Sequence, residues 1–276
     1  MKPEINIWIE QAENTWLADL YSHAASLFHN NFLPSHDHSH HLRVWNLCKS
    51  LLKEVNAFCS ALDPSLVEGV LIAALFHDLG MVSSTREDHG RLSREACEHW
   101  FRESGQNLPE RYEEILIAIE EHDRKDEQIY GSFQPGNSPT ILAFLSVADD
   151  LEALGTIGIY RYAEIYLVRG IPMEELGIRI LENAGNRFKK IEEGCHLCPG
   201  LLEEYRKQYD ELCNFYEKYN LQVQLTSMAD KKNTGALGVI NYIRTRGLDK
   251  SALKEAGKDV NEYFINLEYE LEKARL

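Results

Sequence analysis

The 276-residue sequence predicts an all-α protein, and three observations predict it. Apolar residues recur at three- and four-residue spacing through most of the chain, the period of helices that bury one face. Strand-like alternation and the Asn-Gly or Asp-Gly pairs of tight hairpins are lacking. Helix-start signals stand where periodic segments begin: Asp63-Pro64 joins an N-cap to a proline at the first helical position, and Asn107-Leu-Pro109 has the same form.

Helices are expected near 5–30, 38–60, 64–79, 88–104, 109–123, 138–154, 158–169, 173–192, 197–219, 234–246 and 258–275. In the second, Val44, Leu47 and Leu51 form a stripe that His40 precedes in phase. His41 stands nearly as well ahead of Trp45, Cys48 and Leu52, so phase leaves both open. The third opens at Asp63-Pro64, carries the apolar run Val70–Phe76 and is expected to stop at Gly80. In the fourth, Leu92, Ala96 and Trp100 form the stripe, with His89 one turn before it. In the fifth, Tyr112, Ile115, Leu116 and Ile119 lead to His122. The stretch Tyr130–Pro139 is the clearest loop. In the next helix Leu142 and Leu145 lead to Asp149. The polar stretch 225–235 reads as a connection. The domain division drawn from this is a helical body over 1–220 and a C-terminal helical appendage, 221–276, packed on it.

Composition narrows the function. Lys and Arg total 29 against 44 Asp and Glu, a formal net charge of -15. That field repels nucleic-acid backbones and anionic membranes, so neither is expected as a partner. An anionic small molecule would need local positive charge or a metal. Mean hydropathy is -0.37, and no uncharged apolar run has membrane-spanning length. Glu4 and Glu10 stand where a signal peptide would be apolar, so a cytoplasmic location is expected. The 6 cysteines read as free thiols; Cys195-His-Leu-Cys198 is half a zinc motif without its second half. His36 and His38 are expected on the exposed approach to the second helix, and a homodimer is left open.

The polar residues in helical phase with the core carry the chemistry. His77-Asp78 closes a buried run, and burying an imidazole and a carboxylate costs several kcal/mol unless something pairs with them. A divalent metal is a good partner for both. Any one inward His is more often a satisfied core residue. Five apolar faces that each end in His or Asp are the pattern of a metal site in a helical bundle.

His40 (in His-His-Leu-Arg-Val), His77-Asp78 (in Phe-His-Asp-Leu-Gly) and Asp149 (in Val-Ala-Asp-Asp-Leu-Glu-Ala-Leu-Gly) come in an order that resembles the HD-domain superfamily of metal-dependent phosphohydrolases, over roughly residues 20–190. The stretch from Asp149 to Arg161 is similar to a segment of one bacterial branch that includes pyrophosphohydrolases of deoxynucleoside triphosphates. The resemblance implies an all-helical HD bundle, with additional C-terminal helices here, and His40, His77, Asp78 and Asp149 as metal ligands. Position 150 departs from the branch, which has a basic residue where this chain has Asp150. Asp150 is the alternative ligand to Asp149.

A site of two His and two carboxylates suits Mn²⁺ or Mg²⁺, with Fe²⁺, Ni²⁺ or Zn²⁺ as alternatives. The expected reaction is hydrolysis of a phosphoester or phosphoanhydride in a nucleotide-like small molecule. Asp78 is the candidate to orient or deprotonate water, and His122 to protonate a leaving group. Arg86, Arg124, Lys125 and Arg161 are candidates for phosphate oxygens. His89 and His122 add a candidate second metal site, in the order found in dinuclear HD proteins; the single-metal reading is preferred on the Asp149–Arg161 match. The rival readings are a di-iron oxygenase on the same scaffold and a non-catalytic nucleotide-binding module.

Overall fold

The computed structural model describes residues 5–29, 35–59, 61–124, 129, 133, 137–195, 198–225, 233–249, 253 and 257–273. Among them every regular element is a helix: α1 (Ile5–Ala12), α2 (Ala18–Phe28), α3 (His38–Asn56), α4 (Pro64–Phe76), α5 (His89–Ser104), α6 (Tyr112–Glu121), α7 (Ile141–Glu152), α8 (Gly155–Val168), α9 (Met173–Gly194), α10 (Pro199–Gln224), α11 (Gly235–Arg246) and α12 (Lys258–Lys273). A π-helical turn over Glu13–Leu17 joins α1 to α2, and a 3₁₀ turn over Leu79–Val82 follows α4. Most of the expected loop 130–139 and of the connection 225–235 lies outside the described residues.

The chain forms two compact units, 1–151 with 189–202, and 152–188 with 203–276. In the first, α4 is the central helix. Every residue from Gly69 to Phe76 is buried, as a helix that is apolar all round requires. α1, α2, α3, α5 and α6 pack around it. Gly69 lets α7 pass close by: a Cβ there would lie 2.4 Å from Ile141 Cδ1. Pro64–Val82 is also the one described segment long and apolar enough to cross a membrane, and most of it is buried inside the protein. The second unit packs α8, α11 and α12 with parts of α9 and α10 around Ile159, Leu176, Leu212, Tyr216, Ile240 and Phe264.

Asp63 caps α4 as its sequence predicts, accepting from Leu66 N–H at 2.8 Å. Arg111 donates to its other oxygen at 2.6 Å. Partial burial would raise the Asp63 pKa, but the bonds from Leu66, Ser65 and Arg111 outweigh it and hold the carboxyl below its usual range. Its contribution is therefore present above the ordinary carboxylate range and lost as pH falls through the lowered value. Asp63→Ala is expected to cost about 1 kcal/mol and about 2–4 °C in the melting midpoint at pH 7. The difference between the two melts should shrink in acid.

Three local expectations are corrected. α6 starts at Tyr112 rather than 109, with Arg111 at the N-cap position, so Asn107-Leu-Pro109 precedes the helix and a turn from Pro109 to Tyr112 leads into it. Gly80 does not end α4 with a left-handed residue, for its φ is not positive. α4 ends at Phe76, and Gly80 serves another purpose: a Cβ there would stand 2.1 Å from His89 O and 2.8 Å from Ser93 N. The fully buried face of α5 is His89, Gly90, Ser93, Cys97 and Phe101, not Leu92, Ala96 and Trp100, which are half-buried. The small residues lie where α5 comes closest to its neighbours. A Cβ on Gly90 would be 2.5 Å from Glu120 O of α6.

Candidate metal centre

Local helix ends deliver the centre's imidazoles. His77 follows α4 as its C-cap residue, His122 follows α6 in the same way, and His89 opens α5. In each, Nδ1 lies against the backbone carbonyl three residues earlier. The distances are 3.0 Å from His77 to Ala74 O, 2.8 Å from His122 to Ile119 O and 2.7 Å from His89 to Arg86 O. A carbonyl only accepts, so Nδ1–H is the donor in all three. That leaves Nε2 of each ring to face inward, the orientation that metal-ligating histidines take from such partners.

Those atoms converge on Asp78, whose two oxygens face different groups. Oδ2 is 3.3 Å from His40 Nε2 and 3.5 Å from His77 Nε2. His40 Nε2 is 3.1 Å from His77 Nε2 and 3.6 Å from Asp149 Oδ1. On the other side, Oδ1 is 3.2 Å from His122 Nε2 and 3.4 Å from His89 Nε2, and those two nitrogens are 3.4 Å apart. Donor atoms of His40, His77 and Asp149 lie within 4.8 Å of one another, as do those of His77, Asp78 and His122, and those of His89, His122 and Asp123.

The electrostatics fit a cation. Burial lowers the His77 pKa to about 3, against the opposing charge of Asp78, so its inward Nε2 offers a lone pair. Burial would raise the Asp78 pKa, but His77, His122 and His40 outweigh it and hold the carboxyl well below its usual range. Burial also opposes charge on His89, yet the bond to Asp123 and the charges of Asp78 and Asp123 raise it to about 9. His122 is raised for the same kind of reason, chiefly by its bond to Asp78. Buried imidazoles whose nitrogens approach to about 3 Å around an ionised carboxylate are a donor set that divalent ions hold together.

Most of the expected ligands meet here. His40, His77, Asp78 and Asp149 form one half of the cluster, and His89 and His122 the other. The phase ambiguity at the start of α3 resolves in space. His40 turns Nε2 into the cluster, whereas His41, fully buried, bonds Leu75 O at 3.0 Å through Nδ1 and belongs to no donor group. Asp150 is buried but likewise outside the donor groups, which take Asp149. His36 is not on an exposed approach: it is 6% exposed, with its ring 5.6 Å from that of His40. His38 is half-buried against Tyr21.

The expected phosphate contacts divide differently. Arg86 and Arg124 are exposed, each beside the His89–His122 half by sequence, and Arg124 pairs with Glu121 at 2.9 Å. Lys125 lies outside the described residues. Arg161, in the second unit, is buried and ion-paired with Glu152. Cys195 and Cys198 are buried, Cys198 N–H bonds Cys195 O at 2.8 Å, and neither joins a donor group among the described residues. Burial pushes the Cys195 thiol up to about 12.

The residue that sequence reasoning missed is Asp123. Its Oδ2 is 3.1 Å from His89 Nε2, and its side chain is 44% exposed. A signal was available: His122-Asp123 is a second His-Asp pair that follows the apolar face of a helix, as His77-Asp78 follows the apolar run of α4.

Residues 38–154 match the family model described as HD domain. No curated protein and no solved structure matches the chain. The match covers α3 through α7, the elements that carry every donor of the cluster, so the helices around the site are similar to an HD domain, with further helices beyond the matched stretch. An HD domain with a buried His/Asp cluster points to metal-dependent phosphohydrolase chemistry in general.

Proposed function

We propose that this protein hydrolyses a phosphoester or phosphoanhydride bond of a nucleotide-like small molecule, using divalent ions held by the cluster. The observation that carries the reading is the division of Asp78, with Oδ2 toward His40 and His77 and Oδ1 toward His89 and His122. A carboxylate so placed suits a bridge between two ions, which changes the single-metal preference drawn from sequence. His40, His77 and Asp149 would hold one ion and His89 and His122 the other. Manganese and magnesium suit a donor set that contains carboxylates as well as imidazoles, with iron, nickel and zinc as alternatives. Bound ions supply an acidified water and a polarised phosphoryl oxygen.

The chain's own residues do the rest. The backbone carbonyls of Ala74, Arg86 and Ile119 fix the imidazoles so that Nε2 faces inward. Burial of His40, His77 and Asp149 keeps solvent from that half and strengthens every charge interaction there. His122 is 1% exposed and turned toward Asp78, which favours a ligand role over proton donation to a leaving group. Arg86 and Arg124, exposed and next in sequence to the His89–His122 half, are the candidates for phosphate oxygens, with Arg124 exchanging its partner Glu121 for substrate.

The test is a panel of nucleoside mono-, di- and triphosphates and dinucleotides incubated with Mn²⁺-loaded protein. Release of phosphate or pyrophosphate is expected from at least one member, and none from any would overturn the reading. The bridged arrangement also suits a di-iron oxygenase. Dioxygen uptake with Fe²⁺ and a reductant, in a protein inert toward the whole panel, would favour that instead.

A further inference from the structure

We infer that Asp123 is a terminal ligand of the His89–His122 half, so that each half of the centre has two imidazoles and one carboxylate of its own and shares Asp78. The inference rests on the two-ion reading above and adds a residue that the motif order does not supply. Three observations carry it.

First, the His89–His122 half lacks a donor without it. The other half takes His40, His77 and Asp149 in addition to Asp78. Opposite it stand two imidazoles, whose Nδ1 atoms are already committed to backbone carbonyls, and one oxygen of the shared carboxylate. Asp123 Oδ2, 3.1 Å from His89 Nε2, falls within the same 4.8 Å group as His89 and His122.

Second, the local architecture repeats. α4, apolar all round, and α6, apolar on one face, are each followed by a His-Asp pair, with the histidine at the C-cap position and its Nδ1–H on the carbonyl three residues back. The two aspartates differ in depth. Asp78 is buried between the halves, where a bridge must be, and Asp123 is 44% exposed at the edge of one half, where only a terminal ligand can be.

Third, charge sets the outcome. Two divalent ions among Asp78, Asp149 and Asp123 keep a residual positive charge for an anionic substrate. Without Asp123 the outer ion would be held against its neighbour's repulsion by one shared carboxylate. Because Asp123 reaches solvent and the donors of the other half do not, the outer ion should bind second and more weakly.

The experiment is Mn²⁺ titration of the purified full chain with two readouts, bound ions per chain by elemental analysis and the electron paramagnetic resonance spectrum. Wild type is expected to take up two ions, the second giving an exchange-coupled spectrum. Asp123→Ala and the isosteric Asp123→Asn should weaken the second ion by roughly 10- to 100-fold or more, since losing a ligand costs at least as much as losing a group behind one. They should leave the first ion and its uncoupled six-line spectrum unchanged. Asp88→Asn removes the same charge from a nearby exposed carboxylate that lies in no donor group, and should keep both ions. Two equally tight ions with a coupled spectrum in both Asp123 variants would overturn the assignment while leaving the two-ion reading intact. A single ion in wild type would overturn both.

Discussion

Asp78→Ala is expected to abolish ion binding in both halves of the centre at once and to reduce hydrolysis by about 10³-fold or more, roughly 4 kcal/mol of lost barrier lowering. The size follows from position. Among the described residues Asp78 is the carboxylate that reaches both halves within 3.5 Å, Oδ2 toward His40 and His77 and Oδ1 toward His89 and His122. Its removal takes away the charge that lies between the two pairs of histidine rings and leaves Asp149 and Asp123 each on one side only. Ligand-linked stability gives an independent check. An ion at a hundred times its dissociation constant stabilises the folded state by about 2.7 kcal/mol. Mn²⁺ should therefore raise the melting temperature of wild type, a chelator should reverse the rise, and neither should move Asp78→Ala. A variant that still melts higher with Mn²⁺ would show that the ions sit elsewhere.

The second large effect is at Gly80. A methyl there would fall 2.1 Å from His89 O and 2.8 Å from both Leu92 Cβ and Ser93 N, all of them backbone or near-backbone atoms of α5. No side-chain rotation relieves such a clash, so the first turn of α5 must move. The bond from Gly80 N–H to Ser93 Oγ, 2.8 Å long and buried, would go with it. Gly80→Ala is expected to cost about 3 kcal/mol, at the upper end of overpacking effects. It should impair the His89 half more than the His40 half, because it displaces the turn that begins with His89. Denaturant unfolding measures the first effect and ion stoichiometry the second. A variant of wild-type stability would contradict the close approach itself.

The helical content and the inner half of the cluster were legible in the sequence, because phase along a helix says which residues share a buried face. That argument took His40, Asp149 and His122 to the core correctly. It failed where a neighbour sets the face. On α5 the bulky Leu92 and Trp100 drew attention, yet the closest contact needs the small residues Gly90, Ser93 and Cys97. It also could not separate His40 from His41, which are both buried and differ only in what their ring nitrogens meet. Asp123 escaped for the opposite reason: a half-exposed carboxylate at a helix end looks like an ordinary solvated charge until the fold brings His89 beside it. Arg161 carried an attractive family likeness, but its buried partner Glu152 is invisible to a pattern search.

The donors of the cluster come from five separate stretches of chain, from His40 on α3 to Asp149 on α7. None of them can be brought together by local structure alone, since loop closure over such separations must be offset by the docking of whole helices. Ion uptake is therefore a report that the first unit has finished folding. A molecule with α5 or α7 undocked would hold metal weakly and be left to proteolysis, whereas one that has assembled would be stabilised by the ions it holds.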